Sequence, residues 1–183
     1  MLRTIIASLL ALIGVFWVFL AWQGPEGRSP HEHRMLVELN QAEGEQFRRE
    51  QKTRPGVVDL GDGLLAEVLH TGTGAQPVAD DWVRVHYRGA HSDGRVFDDT
   101  FRSGQPATLP LRQAIAGWQR ALPAMTVGSR VRLVVPPELA YGEAGGGPVG
   151  PAETLVFEVE LLAIVPPPVA PVRTPDQQAV PGL

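Results

Sequence analysis

The sequence predicts an α+β domain in which an antiparallel sheet wraps one short helix. Three observations predict it. First, Trp82–Tyr87, Arg130–Val135 and Thr154–Leu161 alternate between apolar and polar residues, the period of half-buried strands. Second, a single short segment, Arg112–Leu122, carries Ile115, Trp118 and Leu122 at helical spacing. Third, the segments are separated by Gly, Pro and Asp-Gly punctuation, which stops regular structure. The order of strands in the sheet does not follow from these patterns.

The chain has 183 residues, enough for one domain with extensions, and its hydrophobic content of 44% is that of a globular protein. The formal net charge of -4 leaves no basic field to hold nucleic acid. There are no cysteines, which excludes disulfides, thiolate metal sites, a cysteine nucleophile and an acylated cysteine. The five histidines are scattered, and His31 and His33 lack metal-ligand spacing. No metal and no cofactor is expected.

Taken in order, Thr4–Trp22 is an uncharged apolar run of about the 20 residues that cross a bilayer core. Arg3 precedes it, and Phe16, Trp17 and Trp22 weight its far end like an interfacial belt. A cut after Ala21 or Gly24 would place Phe19 or Trp22 third-last, where cleavage wants a small residue. The segment 1–24 therefore reads as a transmembrane anchor, with a cleaved signal peptide as the alternative. Arg3 sets the N-terminus in the cytoplasm and exports the rest. Residues 25–56 read as a linker with a polar helix. Ser29-Pro30-His31-Glu32 forms its capping box, and Arg54-Pro55-Gly56 ends it. Its apolar positions, Met35, Leu36, Leu39, Ala42 and Phe47, make only a thin stripe, suited to a stalk or a weak dimer contact rather than a strong coiled coil.

Residues 57–165 form the folded domain. Leu64–His70 reads as a strand, broken by Gly72, Gly74 and Pro77. Trp82–Tyr87 is the next, with Val83, Val85 and Tyr87 on one face. Ser92-Asp93-Gly94 signals a hairpin of type I′, and Val96-Phe97 begins the return. Ser103–Pro106 is a loop. The short helix follows, then a turn ended by Gly128, then the strand of Val131, Leu133 and Val135. Glu138–Thr154 is a long Gly- and Pro-containing loop. The last strand, Thr154–Val165, points Leu155, Phe157, Val159 and Leu161 inward and Glu158 and Glu160 outward. Arg130 and Arg132 are placed to pair with those glutamates, for a few tenths of a kcal/mol each. Residues 166–183 form a Pro-rich tail of disordered composition.

None of the standard catalysts is present. There is no nucleophile-elbow pattern, and Gly145-Gly146-Gly147 is followed by Pro148, not by the Lys of a phosphate loop. What remains is an aromatic and apolar set with one acid, Asp98. By composition alone such a set is core.

The ordered series Val83-Arg84-Val85-His86-Tyr87-Arg88-Gly89, Asp93-Gly94-Arg95-Val96-Phe97-Asp98, Ile115-Ala116-Gly117-Trp118, Pro136–Gly142 and Thr154–Leu161 resembles the FKBP-type peptidyl-prolyl cis-trans isomerases, the tacrolimus-binding immunophilins. Gly44–Phe47 and Lys52–Val58 resemble the bacterial Mip-like envelope branch. The resemblance covers residues 57–165. It implies a curved, half-open sheet around the helix and a pocket for an X-Pro segment of an unfolded or exported polypeptide. It places Trp118 beneath the proline ring, Tyr87, Phe97 and Phe157 as walls, Val96 beside them, and Asp98 at the rim near Tyr87. The Ile115 N–H and the Tyr141 hydroxyl would grip peptide carbonyls. Ala114 takes a family Val position, Ala140 adjoins Tyr141, and Val149 is an apolar lip. Asp98, Tyr87 and Tyr141 carry the catalytic expectation. Ala107 and Leu109 stand where aromatics occur in other members, and Gly150 replaces a Pro. These departures thin one wall and bear on residue preference and macrolide affinity.

The expected activity is isomerisation of X-Pro bonds in exported proteins, by a protein anchored in a bacterial inner membrane and facing the periplasm, or soluble there if the segment is cleaved. The competing reading is a holdase or envelope assembly factor with incidental turnover. Isomerisation itself needs no nucleophile, because the barrier of about 18–20 kcal/mol is lost amide resonance and no bond breaks.

Overall fold

A computed structural model of the chain describes residues 29–166. The anchor segment 1–24 and the tail from residue 167 onward lie outside the described residues. Among the described residues no helix is long and apolar enough to cross a membrane.

Helix α1, Pro30–Lys52, opens on the expected capping box: Glu32 N–H donates to Ser29 Oγ at 3.1 Å and Ser29 N–H to Glu32 Oε2 at 2.9 Å. The compact unit that carries the sheet begins at Val37. From there the covered face of α1 is not the apolar stripe of the sequence. Leu39 is 53% exposed, whereas Val37 and Gly44 are buried. Gly44 has no side chain because Thr154 occupies its place. A Cβ there would lie 2.3 Å from Thr154 Oγ1. Asn40 Nδ2 donates to Pro151 O at 2.7 Å and Arg48 Nη1 to Thr154 Oγ1 at 2.5 Å. The helix is thus seated on the turn at 151–154 by small and polar groups.

The described residues form seven strands, β1 (Val57–Asp59), β2 (Leu65–His70), β3 (Trp82–His91), β4 (Val96–Asp99), β5 (Ala107–Pro110), β6 (Arg130–Val135) and β7 (Leu155–Val165). All pairings are antiparallel, in the order β1-β2-β6-β7-β3-β4, and β5 also pairs with β3. β3 runs four residues beyond Tyr87, the end expected from alternation. Its outer edge is shared: β5 covers Trp82–Val85 and β4 covers Arg88–Ala90. Between them the chain leaves the sheet as a one-turn helix, α2 (Thr100–Ser103), capped by Asp99, whose side chain accepts from Arg102 N, and by Gly104 at positive φ. β1, α2 and β5 were not expected from the sequence.

The β3–β4 connection is not type I′. Gly94 takes φ 89°, but Ser92 and Asp93 do not enter the left-handed region. His91 N–H donates to Arg95 O and Gly94 N–H to His91 O, so the glycine occupies the bulge position of a longer hairpin loop. The expected helix Arg112–Leu122 is also shorter. A 3₁₀ turn (Leu111–Gln113) is followed by two extended residues, then by α3 (Ala116–Ala121) and a second 3₁₀ turn (Leu122–Ala124). Pro123 lies in that second turn, where a missing N–H is tolerated.

One face of the sheet closes on α3. Val83, Val85, Leu133, Val135, Leu155, Val159 and Leu161 are fully buried there with Leu111 and Leu122, each contributing about 1.5–3 kcal/mol. Gly117 lets α3 approach: a Cβ on it would lie 2.7 Å from Val135 Cγ1. On the other face, Arg130 pairs with Glu158, but Arg132 does not. Its nearest carboxylate is Glu67 on β2, at 3.7 Å.

Candidate functional site: an aromatic cavity over α3

The close seat of α3 brings Trp118 against β3 and β7. Trp118 is 5% exposed. Its ring meets Tyr87 edge to face, with centroids 5.2 Å apart at 80°, and Phe157 likewise at 5.6 Å and 84°. Phe97 stands edge-on to Phe157 at 5.9 Å. Edge-to-face packing is the favoured arrangement of aromatic quadrupoles, and it makes a box with flat walls at right angles. Above Trp118 lies an open cavity of about 230 Å³.

Tyr87 is fixed where β3 pairs with β7 but lacks a strand partner on its outer edge. Thr100 Oγ1, at the start of α2, accepts from Tyr87 N at 2.7 Å and donates to Tyr87 O at 3.1 Å. A hydroxyl thus replaces the missing ladder. The Tyr87 phenol donates to Asp98 Oδ2. Burial, then that hydrogen bond and the charge of Asp98, push the phenol well above its ordinary range. Tyr87 stays a neutral donor, and Asp98 is held at the rim.

The backbone adds a donor. Ile115 caps α3 in an extended conformation, φ -58° and ψ 149°, and no described residue accepts from its N–H. Trp118 Nε1 is buried and also lacks an acceptor among the described residues. Two histidine side chains make hydrogen bonds outside the box among the described residues. His86 Nδ1 meets Thr100 Oγ1 at 3.1 Å, and His91 Nδ1 meets Glu153 Oε2 at 2.7 Å while its ring backs Phe97. Among the described residues, no three His, Asp or Glu side chains gather where they could hold a metal ion.

Of the residues the sequence marked, the cavity gathers Tyr87, Phe97, Asp98, Ala114, Ile115, Trp118, Tyr141 and Phe157. Val96, Ala140 and Val149 do not line it. Val96 is 52% exposed beside Phe97, Ala140 packs on the core, and Val149 is buried, tied back to Gly146 by two backbone hydrogen bonds, so it makes no lip. Ala107 and Leu109, the positions expected to thin one wall, also line it, and the cavity adds Gln113. Ala107 and Leu109 alternate along β5 facing Val85 and Val83, a period-two signal present in the sequence. Gln113 carries no such signal, because its place depends on the 3₁₀ turn.

Among the described residues the cavity is thus an apolar box with one tethered acid, a backbone N–H that finds no acceptor and no nucleophile–base pair. Residues 73–162 match the FKBP-type peptidyl-prolyl cis-trans isomerases. The chain is 44% identical over 139 residues to the FKBP-type 22 kDa peptidyl-prolyl cis-trans isomerase of Escherichia coli, covering 75% of this chain and 68% of that protein. It is 43% identical over 134 residues to the outer membrane protein MIP of Legionella longbeachae, covering 73% and 58%. The crystal structure of FkpA from Escherichia coli superposes with a TM-score of 0.73 at 37% identity, over 75% of this chain and 65% of that one. This chain belongs to the family of FKBP-type peptidyl-prolyl cis-trans isomerases. Its relatives are of the bacterial Mip and FkpA type, and it spans about half to two thirds of the length of those curated relatives.

Proposed function

We propose that this protein accelerates cis–trans exchange of X-Pro bonds in unfolded polypeptides. The observation that carries this is the right-angled aromatic box over Trp118 with the unpaired Ile115 N–H beside it. The proline ring rests on Trp118 between Tyr87, Phe97 and Phe157. The Ile115 N–H and the Tyr141 hydroxyl hold carbonyls on either side of the rotating bond. Asp98 keeps Tyr87 in place. The planar amide is more charge-separated than the twisted one, so a water-poor apolar cavity destabilises the ground state relative to the transition state. Uncatalysed exchange takes tens to hundreds of seconds and can limit folding. Tacrolimus-like macrolides occupy the same cavity, with affinity tuned by the small Ala107.

The setting we propose is the bacterial envelope, with residues 1–24 anchoring the domain in the inner membrane and the domain facing the periplasm. The uncharged Thr4–Trp22 run after Arg3 supports this. Met35 and Leu39, one turn apart on α1 and each more than half exposed, support a weak contact between copies. The whole chain should shorten cis-to-trans relaxation of a proline peptide, insensitive to chelators. Folded protein without acceleration, or activity abolished by chelation, overturns the reading. Fractionation tests the setting: recovery of a soluble form starting near Trp22 overturns the anchor.

A further inference from the structure

We propose that Gln119 is a positioning residue that aims the Ile115 N–H into the cavity. It rests on the reading that this N–H grips the substrate. The carbonyl of Ala114 and the N–H of Ile115 belong to one peptide unit. That unit is planar and trans, so the two groups point in opposite directions. Whatever fixes the carbonyl fixes the direction of the N–H. Gln119 Nε2 donates to Ala114 O at 2.7 Å, and also to Arg112 O at 3.1 Å. The next peptide unit is fixed too, since Ile115 O accepts from Trp118 N at 2.9 Å and from Gln119 N at 3.1 Å.

This locking is needed because Ala114 and Ile115 belong to neither neighbouring helical turn. Both are extended, with ψ 167° and 149°, and the peptide unit that joins them makes no backbone hydrogen bond among the described residues. The only other hydrogen bond on Ala114 among the described residues, from its N–H to Leu111 O, does not fix the following plane. Gln119 supplies the missing restraint from behind the cavity. Donation to the Ala114 carbonyl also polarises the amide and strengthens the Ile115 N–H as a donor. Gln119 does not line the cavity. Its side chain is exposed, so its bonds matter to the site more than to the fold.

Two near-isosteric variants of the whole protein test this. Gln119→Glu keeps the shape but cannot donate when ionised, and Gln119→Met lacks the donor without adding charge. Both should raise KM about three- to tenfold with kcat little changed, since a uniform binding interaction is weakened, while the melting temperature stays near that of the wild type. On lowering the pH towards the carboxyl range of about 4, Gln119→Glu becomes a donor again, and its KM should approach that of the wild type. Gln119→Met should show no such recovery. The amide resonance of Ile115 should shift in both variants at neutral pH. Unchanged KM in both variants, or a rise confined to Gln119→Glu with no pH recovery, overturns the proposal. A wild type that accelerates no exchange defeats the functional reading instead, and the Ile115 resonance still reports on the positioning.

Discussion

Gly89 is the sharpest place to perturb the cavity without touching a polar group. A Cβ at this position would lie 2.7 Å from Phe97 Cε2 and Cζ and 3.1 Å from Phe157 Cε1. Carbon atoms rest at about 3.5–4.0 Å, so in Gly89→Ala the Phe97 ring must retreat by about 1 Å. His91 and Phe157 stand against that ring at 5.3 and 5.9 Å, and the open side is the cavity. If the ring is held, overpacking costs about 1–3 kcal/mol, or roughly 2–8 °C in melting temperature for each kcal/mol at domain sizes bracketing this one. If the ring yields, the loss of stability is smaller and the ring enters the substrate's space. Misplacement by about 1 Å can cost up to a hundredfold in rate, so kcat/KM should fall at least about tenfold, equivalent to about 1.4 kcal/mol. The assay is peptide isomerisation at limiting and saturating peptide, with melting followed in parallel. Gly94→Ala is the control. Gly94 has φ 89°, and a Cβ on it would meet nothing within 4 Å, so alanine there should cost about 1–2 kcal/mol of left-handed strain and spare activity. Equal losses of kcat/KM in the two variants, or full activity in Gly89→Ala, would refute the reasoning.

Gly44→Ala sets two effects against each other. Alanine favours a helix by about 1 kcal/mol, but its Cβ would fall 2.3 Å from Thr154 Oγ1. A lowered melting temperature is expected, and a raised one would show that α1 is not seated as described. The chain has two tyrosines, so Tyr141→Phe leaves Tyr87 alone in a spectrophotometric titration. Its midpoint should lie above the ordinary value of about 10. Because the folded state holds this proton more tightly, its stabilisation is complete below about pH 10 and is lost as pH rises through the folded value. Adding Asp98→Asn should lower the midpoint. Trp118→Leu should cost about 2–4 kcal/mol together with peptide binding, whereas Asp98→Val should lower the rate with little change in melting. Collapse of the fold in Asp98→Val would show that the Tyr87–Asp98 bond supports the fold rather than the site.

The alternation of Val83, Val85 and Tyr87, and of Leu155 to Leu161, made β3 and β7 legible, because a sheet with one covered face writes its period into the sequence. The Ser29–Glu32 box was legible because capping is a local contest among side chains. The order of strands was not, since Leu65 pairs with Val134 and nothing local to either residue names the other. α2 was hidden because four residues are too few to show a period, and β5 because Pro106 and Pro110 make its run look like a loop. The end of the real helix at Ala121, rather than Leu122, turns on Pro123 and on a 3₁₀ preference that spacing does not register. The site divides in the same way. Trp118, Phe97 and Phe157 stood out as large aromatics at fixed phases. Val149 looked like a rim residue only until the turn at Gly146 carried it inward. Gln113 and Gln119 owe their places to the path of the backbone around Ala114 and Ile115, which no single side-chain pattern describes.

β7 pairs with both β6 and β3, and is the last strand of the described residues. Its Phe157 is also a wall of the cavity. During synthesis the chain presents β1 and β2, then β3 to β5, with no strand to join the two groups. Only when residues 155–165 emerge can the two half-sheets be zipped into one. The binding box is completed at that same moment. The strand that closes the sheet and the strand that completes the pocket are thus one and the same, and the last to be made.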